Sequence, residues 1–341
     1  MTNAILDLRP LSQPWEGADP FLFCVYHNDA YPPGNANMGP AASLAGRNLG
    51  SDFSRKDGWS MYHGEVVPGF PTHPHRGFET ITIVRQGLID HSDSLGATAR
   101  YGHGDVQWLT AGRGIMHAEM FPLIDERAPN PLELFQIWLN LPAASKMAAP
   151  HFTMMWGDRV PRVRFGESRG TDVTVIAGEL HGAAAPLAPP PDSWASRPES
   201  DLSIWTIRMD PGARWTLPAA RFADSTRRLY FFAGSSIQLD GRQVGSGQMI
   251  TLDAGNSVEL LNGDGVAEFL MLQSRPIGEP VAMGGPFVMN TQAEVQQAFL
   301  DFRRTQFGGW PWPDSAPVLG RDPARFARRP DGTVERSIPT R

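Results

Sequence analysis

Apolar and polar residues alternate along many short segments of this chain. Residues 79–85, 132–140 and 202–209 each follow a two-residue period, and each is followed by glycine or proline. Successive side chains of a β-strand point to opposite faces of a sheet, so this pattern predicts half-buried strands. Short strands separated by frequent turn signals favour an antiparallel sandwich or barrel.

The strand-and-turn pattern occurs twice along the chain. A proline-rich run at 183–191 cannot form a helix or a central strand. The strand-like residues 173–178 precede it, so we place the start of the second barrel near residue 165 and interpret the run as a surface loop. We predict an all-β protein with an N-terminal barrel in 1–165 and a second barrel in 166–290.

The last part of the chain differs from these barrels. Thr291 and Glu294 form a capping-box signature, and Val295, Phe299 and Phe302 then recur with helical spacing. We predict one amphipathic C-terminal helix in a segment of residues 291–341. The Pro/Arg-rich tail that follows the helix is expected to be poorly ordered.

Composition narrows the classes of partner. The 341 residues carry a net charge of −6, and no basic run stands out before the tail, so we expect no direct nucleic-acid binding. Cys24 is the single cysteine, which excludes an intrachain disulfide. The N-terminal residues lack the pattern of a signal peptide, and no apolar run is long enough to span a bilayer. We expect a cytoplasmic protein without a membrane partner.

Two residue pairs indicate a metal site. His73 and His75 are two residues apart, and so are His117 and Glu119. In a strand, residues with this spacing point to the same face. If the two strands are neighbours, three imidazoles and one carboxylate converge, which suits a redox-active first-row metal with positions left open for dioxygen or substrate. Glu79 is an alternative carboxylate, and a closed structural zinc site is an alternative use of the four ligands.

The remaining histidines have simpler interpretations. His27 and His63 lack a ligand-type residue two positions later, so we interpret them as surface or hydrogen-bonded residues. We interpret His181 as structural. No histidine occurs in 182–341, which predicts a second barrel without a transition-metal site. Three histidines are interpreted as solvated turn residues: His91, His103 and His151.

Residues 70–122 resemble the cupin superfamily. Within them, residues 73–80, 104–108 and 110–120 resemble the pirin family, and so do Lys146-Met147 and residues 285–291. The similarity covers most of residues 15–310. It implies two tandem cupin barrels (double-stranded β-helix, or jelly-roll, domains) with metal only in the first. The loop at 183–191 and the tail beyond residue 312 look like departures from shorter members.

The resemblance also implies the ligands and the ion. Iron, as Fe(II) or Fe(III), would be bound by His73, His75, His117 and Glu119, with copper, nickel, manganese, cobalt and zinc as alternatives. The general cupin pattern would place the carboxylate at Glu79, whereas pirins use the later glutamate. We therefore predict Glu119 as the ligand.

Several bacterial pirin-like proteins resemble quercetin 2,3-dioxygenases. On that resemblance, a flavonol would bind through its 3-hydroxyl and 4-carbonyl oxygens, and Glu119 would be the catalytic residue that accepts the hydroxyl proton. The alternative implied by the family is an iron-dependent protein-binding regulator without turnover, either a transcription cofactor or a partner of a metabolic enzyme. A third interpretation is a metal-stabilised protein that has lost activity.

Overall fold

The computed structural model describes residues 4–337, which form twenty-five β-strands and one α-helix. In chain order they are β1 (Ile5–Pro10), β2 (Trp15–Glu16), β3 (Phe21–Asp29), β4 (Gly69–His75), β5 (Phe78–Gln86), β6 (Leu88–Asp93), β7 (Thr98–Gly102), β8 (Val106–Thr110), β9 (Ile115–Met120), β10 (Leu132–Asn140), β11 (His151–Met155), β12 (Arg162–Phe165), β13 (Thr171–Ala177), β14 (Ser203–Met209), β15 (Arg214–Leu217), β16 (Thr226–Ala233), β17 (Ser236–Leu239), β18 (Arg242–Gly245), β19 (Gln248–Asp253), β20 (Val258–Asn262), β21 (Ala267–Ser274), β22 (Ala282–Gly284), β23 (Phe287–Met289), α1 (Gln292–Thr305), β24 (Phe326–Arg328) and β25 (Val334–Arg336).

The chain divides into two compact units. The first barrel comprises Val25–Asp158 together with the residues from Glu279 onward. The second barrel comprises the residues up to Cys24 together with Arg159–Gly278. The all-β class predicted from the alternating pattern is therefore confirmed.

Two antiparallel sheets build the first barrel. In one, the neighbouring strands run β11-β8-β5-β10-β3, and the other is six-stranded with the order β25-β24-β7-β6-β9-β4. Both contribute apolar side chains to one buried core, for example Val84 and Leu109 from the first and Ile89 and Tyr101 from the second. Because the period-two faces meet in this core, the side chains of β9 and His75 of β4 are shielded from water.

Two sheets also form the second barrel. The larger has the order β1-β19-β16-β21-β14-β13-β12, and the smaller has the order β15-β20-β17-β18. Their shared core contains Trp205, Phe231 and Phe269. His181, the one histidine in the described part of this unit, is exposed. A hairpin turn at Asp240-Gly241 joins β17 to β18, and Asp240 has a positive φ of 46°.

The predicted C-terminal helix is confirmed. Thr291 accepts a hydrogen bond from the Glu294 backbone N–H, and the Glu294 carboxylate accepts one from the Thr291 backbone N–H, so both halves of the capping box are present. Val295 is buried with Phe299 packed beside it. Within residues 4–337, no helix is both long enough and apolar enough to cross a membrane.

Terminal segments pair with strands that are distant in sequence. β1 pairs with β19, so the first strand of the chain belongs to the second barrel. The helix and all later described residues belong to the first barrel. As domain limits, 1–165, 166–290 and 291–341 stay a prediction. The compact units differ from them because pairing of these terminal segments cannot be derived from a local pattern.

The expectation of a poorly ordered tail is wrong for the residues that the structure describes. Residues 310–337, here called the C-terminal strap, lie on the six-stranded sheet of the first barrel. β24 pairs with β7, and β25 pairs with β24. The Thr72 backbone N–H donates to the Ser315 carbonyl at 2.7 Å, and the Trp312 indole N–H donates to the Asp93 carbonyl at 2.9 Å.

Buried charges explain why the strap is ordered. Arg100 forms a two-pronged ion pair with Asp90, and each of these residues is only 1% exposed. The same guanidinium donates to the carbonyls of Gly320 and Asp322, while the Leu319 backbone N–H donates to Asp90. The strap therefore supplies hydrogen-bond partners to buried polar groups of the barrel, which would lack these partners without it.

Candidate metal centre

Adjacent strands carry the two predicted ligand pairs. β4 pairs with β9 in antiparallel fashion, with His73 opposite His117 and His75 opposite Ile115. His117 and Glu119 lie two residues apart on β9 and therefore share a face. The local geometry that the metal hypothesis requires, two neighbouring strands with same-face ligand pairs, is thus present.

The three imidazoles form a compact cluster. The ring centroids are 4.4 Å apart for His73 and His117, 4.7 Å for His73 and His75, and 4.9 Å for His75 and His117. One ring nitrogen from each histidine lies within 4.8 Å of those of the other two. His75 and His117 are buried, whereas His73 is partly exposed, so the cluster lies just below the surface.

The hydrogen bonding of these rings fits a bound cation. Neither ring nitrogen of His117 has a hydrogen-bond partner among residues 4–337, although the residue is fully buried. Such orphaned polar atoms are costly unless an ion or water completes them. The Nδ1 of His73 lies 2.8 Å from the Pro71 carbonyl. If Nδ1–H donates to this oxygen, Nε2 keeps a free lone pair that can bind a metal.

Burial also sets the charge of the cluster. It lowers the pKa of His73 to about 4 and lowers the pKa values of His75 and His117 well below the ordinary range. Uncharged imidazoles are the form that binds metals. Three neutral, converging imidazoles therefore fit a divalent first-row metal.

Glu119 lies beside the cluster rather than within it. Its Oε2 is 3.9 Å from His117 Nε2, and it falls outside the set in which every ligand atom is within 4.8 Å of the others. The carboxylate accepts hydrogen bonds from Gln136 Nε2 at 2.8 Å and from Thr82 Oγ1 at 3.3 Å. Burial raises the pKa of Glu119, and these donors oppose that shift. Its role as the fourth ligand stays a prediction.

The alternative carboxylate has a different partner. Glu79 is fully buried and accepts a hydrogen bond from Thr110 Oγ1 at 2.6 Å. It lies three residues before Thr82 on β5, so the two side chains point to opposite faces of the strand. Because Thr82 bonds Glu119, Glu79 faces away from the carboxylate beside the imidazoles.

Aromatic rings fix the position of His75. The Trp138 ring stacks on Phe78 with centroids 4.1 Å apart and meets the edge of His75 at 5.2 Å. Phe78 also contacts the His75 ring at 5.0 Å. Trp138 and Gln136 are partly exposed, whereas Glu119 and His117 are buried.

The interpretation of His91 as a solvated turn residue is wrong. His91 lies in β6, is 0% exposed and has its ring centroid 5.6 Å from that of His117. Its Nε2 is 3.3 Å from Asp93 Oδ2. The signal in the sequence was its spacing from Ile89, an inward-facing residue two positions earlier on the strand, which places His91 on the same face.

The other histidines lie apart from the cluster. His103 is exposed in a turn, as predicted. His151 is exposed as predicted but begins β11 instead of lying in a turn. His63 is exposed with Nδ1 2.8 Å from the Gly50 carbonyl. His27 is not a surface residue, because it is buried with its ring edge-on to Tyr62.

Two antiparallel barrels, with a histidine cluster inside the first, define a two-domain cupin protein. Comparison with known proteins identifies the family: residues 16–139 match Pirin, and residues 204–308 match the Pirin C-terminal cupin domain. The chain belongs to the pirin family. The C-terminal strap lies beyond both matches.

Individual relatives agree with this assignment. A Pseudomonas aeruginosa protein provisionally named quercetin 2,3-dioxygenase is 34% identical over 242 residues, which cover 70% of this chain and 80% of the relative. Human Pirin is 36% identical over 252 residues, covering 72% and 80%. The crystal structure of quercetin 2,3-dioxygenase from Acinetobacter baumannii matches with a TM-score of 0.70 and 26% identity, covering 89% of this chain and 98% of that one.

Proposed function

We propose that this protein is a metal-dependent flavonol 2,3-dioxygenase whose metal is held by His73, His75, His117 and Glu119. The observation that carries the proposal is the buried three-histidine cluster, in which both nitrogens of His117 have no hydrogen-bond partner among the described residues. Similarity to proteins named as quercetin 2,3-dioxygenases supports the choice of substrate class.

Iron is the proposed ion. Imidazole and carboxylate ligands with open positions are typical of non-haem iron sites, while copper, nickel, manganese, cobalt and zinc remain alternatives for the same donor set. Elemental analysis of protein purified without added metal tests this choice. A preparation that carries one of the other metals and no iron would overturn the assignment to iron.

In the proposed reaction, the bound metal supplies a Lewis acid for the flavonol oxygens and access to dioxygen chemistry. The three imidazoles hold the ion, and Glu119 accepts the proton of the 3-hydroxyl group at a carboxylate oxygen. Trp138 and Gln136 border the accessible side of the site, where a planar substrate can approach. Both atoms of dioxygen enter the ring-opened ester product, and carbon monoxide leaves.

Anaerobic loading with Fe(II), followed by addition of quercetin and oxygen, tests the activity. We expect loss of flavonol absorbance and release of carbon monoxide in equal amounts. Replacing the proton acceptor, Glu119→Gln, should slow turnover by about 10²–10⁴-fold. Fully iron-loaded protein that leaves quercetin absorbance unchanged would remove the proposed activity.

The alternative of a protein-binding regulator stays a prediction. Pull-downs with metal-free and iron-loaded protein test it, because identical partners in both states would count against a metal-dependent switch. A cytoplasmic location and the lack of nucleic-acid or membrane partners also stay predictions from composition.

A further inference from the structure

One side chain links the candidate base to the aromatic wall of the site. Gln136 Nε2 donates to Glu119 Oε2 at 2.8 Å. This is the same carboxylate oxygen that lies 3.9 Å from His117 Nε2. Gln136 therefore contacts the oxygen of Glu119 that faces the imidazole cluster.

The orientation of the Gln136 amide follows from two of its three partners; the third, Thr82 Oγ1 at 3.4 Å from Nε2, is a hydroxyl that can donate or accept. The Trp138 indole N–H, which can only donate, lies 3.4 Å from Gln136 Oε1. A carboxylate can only accept, so the amide group must turn its NH₂ toward Glu119 and its oxygen toward Trp138. Exchange of the amide oxygen and nitrogen would place donor against donor and acceptor against acceptor.

Trp138 is itself held in place. Its ring stacks on Phe78 and meets the edge of His75, as described above. A continuous series of contacts therefore connects His75 through Trp138 and Gln136 to Glu119. The series joins a residue from each of the two candidate ligand pairs without passing through the ion.

We propose that Gln136 is the positioning residue for Glu119. It holds Oε2 toward the histidine cluster, so that the carboxylate serves as an ordered fourth ligand and proton acceptor. Gln136 affects the ion through Glu119, both by its direct hydrogen bond and through Thr82, which contacts both side chains. This inference rests on the proposed metal centre.

The test measures Co²⁺ affinity, with Co²⁺ as a spectroscopic probe whose visible absorption reports the ligand field. Gln136→Met preserves length and removes both hydrogen-bonding groups. Trp138→Phe retains a six-membered aromatic ring at this position and removes the indole N–H together with the rest of the pyrrole ring. Gln243→Met, the same substitution at an exposed strand position of the second barrel, is the matched control.

Loss of an outer partner of a ligand costs about 10–100-fold in metal affinity. We expect a loss of this size for Gln136→Met, a smaller loss for Trp138→Phe and no change for Gln243→Met. The visible spectrum of bound Co²⁺ should shift in the first two variants. In a Glu119→Ala background, Gln136→Met should cause no additional loss.

Two results would overturn the inference. One is unchanged Co²⁺ affinity in Gln136→Met. The other is a loss that multiplies with that of Glu119→Ala, because a general structural effect would act independently of the carboxylate. If Gln136→Met fails to fold, Gln136→Leu alone and combined with Glu119→Ala gives the same comparison, because leucine also lacks both hydrogen-bonding groups.

The test of Gln136 and the test of the proposed dioxygenase activity can fail independently. Wild-type protein that binds no Co²⁺ would overturn the metal centre together with the role of Gln136. Wild-type protein that binds Co²⁺ but does not consume quercetin when loaded with iron would remove only the dioxygenase activity. In that case, comparison of the Co²⁺ affinities of Gln136→Met, Glu119→Ala and the double variant would still test the positioning role of Gln136.

Discussion

The ring of His117 is fully buried, and neither of its nitrogens has a hydrogen-bond partner among residues 4–337. If an ion completes this ring, His117→Ala should reduce bound metal from about one equivalent to nearly none. Elemental analysis of the purified variant measures this. His151→Ala, an exposed histidine of the same barrel, should retain the wild-type content. Equal metal content in both variants would contradict the assigned site.

His27 predicts a specific dependence of stability on pH. Burial lowers the pKa of His27 to about 4, below its ordinary value of 6.5. The folded state then binds fewer protons than the unfolded state between these values. The contribution of His27 is therefore fully present above about pH 6.5 and is lost as the pH falls toward 4.

Replacing this residue should weaken the response to acid. Between about pH 7.5 and pH 5.5, wild-type protein should lose about 1 kcal/mol more of its free energy of unfolding than His27→Phe. Urea denaturation of metal-free protein at both pH values measures the difference. Asp29, whose pKa burial raises to about 6, acts in the opposite direction and is present in both proteins. Equal pH responses would show that His27 does not titrate abnormally.

Residue spacing predicted the ligand pairs because residues two positions apart on a strand share a face, whatever the tertiary structure. It could not show that β4 lies beside β9, which depends on register across more than forty residues. Gln136 was also missed, although it lies two residues from the inward-facing Leu134. A polar side chain at an inward position was the available signal, since such a group needs a buried partner.

At the scale of elements, side-chain ion pairs and hydrogen bonds hold the strap in place, since its sequence has no clear strand pattern. Arg325 pairs with Asp105 at 2.7 Å, and Asp105 is 0% exposed. Arg325→Met should leave that carboxylate without its cation and lower the free energy of unfolding by about 2 kcal/mol. Chemical denaturation measures the change.

An exposed ion pair provides the comparison. Arg214 pairs with Glu259 at the surface of the second barrel. Arg214→Met should leave the free energy of unfolding close to that of wild type, because solvent screens such pairs. If both substitutions had the same small effect, the strap would not be anchored by Arg325.

The elements divide into those that a local pattern predicts and those that it does not. The helix was predictable because its capping box and apolar face lie within one short segment. The strap was not, because its strands are only three residues long and β7, the strand that β24 pairs with, is far away in sequence. A proline-rich segment is expected to be disordered only when no surface elsewhere in the fold offers it strand pairing or hydrogen bonds.

At the scale of the whole molecule, the two barrels should differ in metal binding. Among the residues that the structure describes, the cluster of His73, His75 and His117 is the only group of three converging ligand-type side chains that includes a histidine. We therefore expect one metal per chain, measured by titration with Co²⁺. A stoichiometry of two would require a second site and would contradict the assignment of metal to the first barrel alone.

The pairing of the strap with β7 has a consequence for synthesis. Arg325 and its partner Asp105 are 220 residues apart in the chain, and the second barrel lies almost entirely between them. A ribosome therefore completes the second barrel before β24, the strap strand that pairs with β7, emerges from the exit tunnel. Until then, β7 is an open edge of the nascent first barrel, and its unpaired backbone groups are available for pairing with other chains.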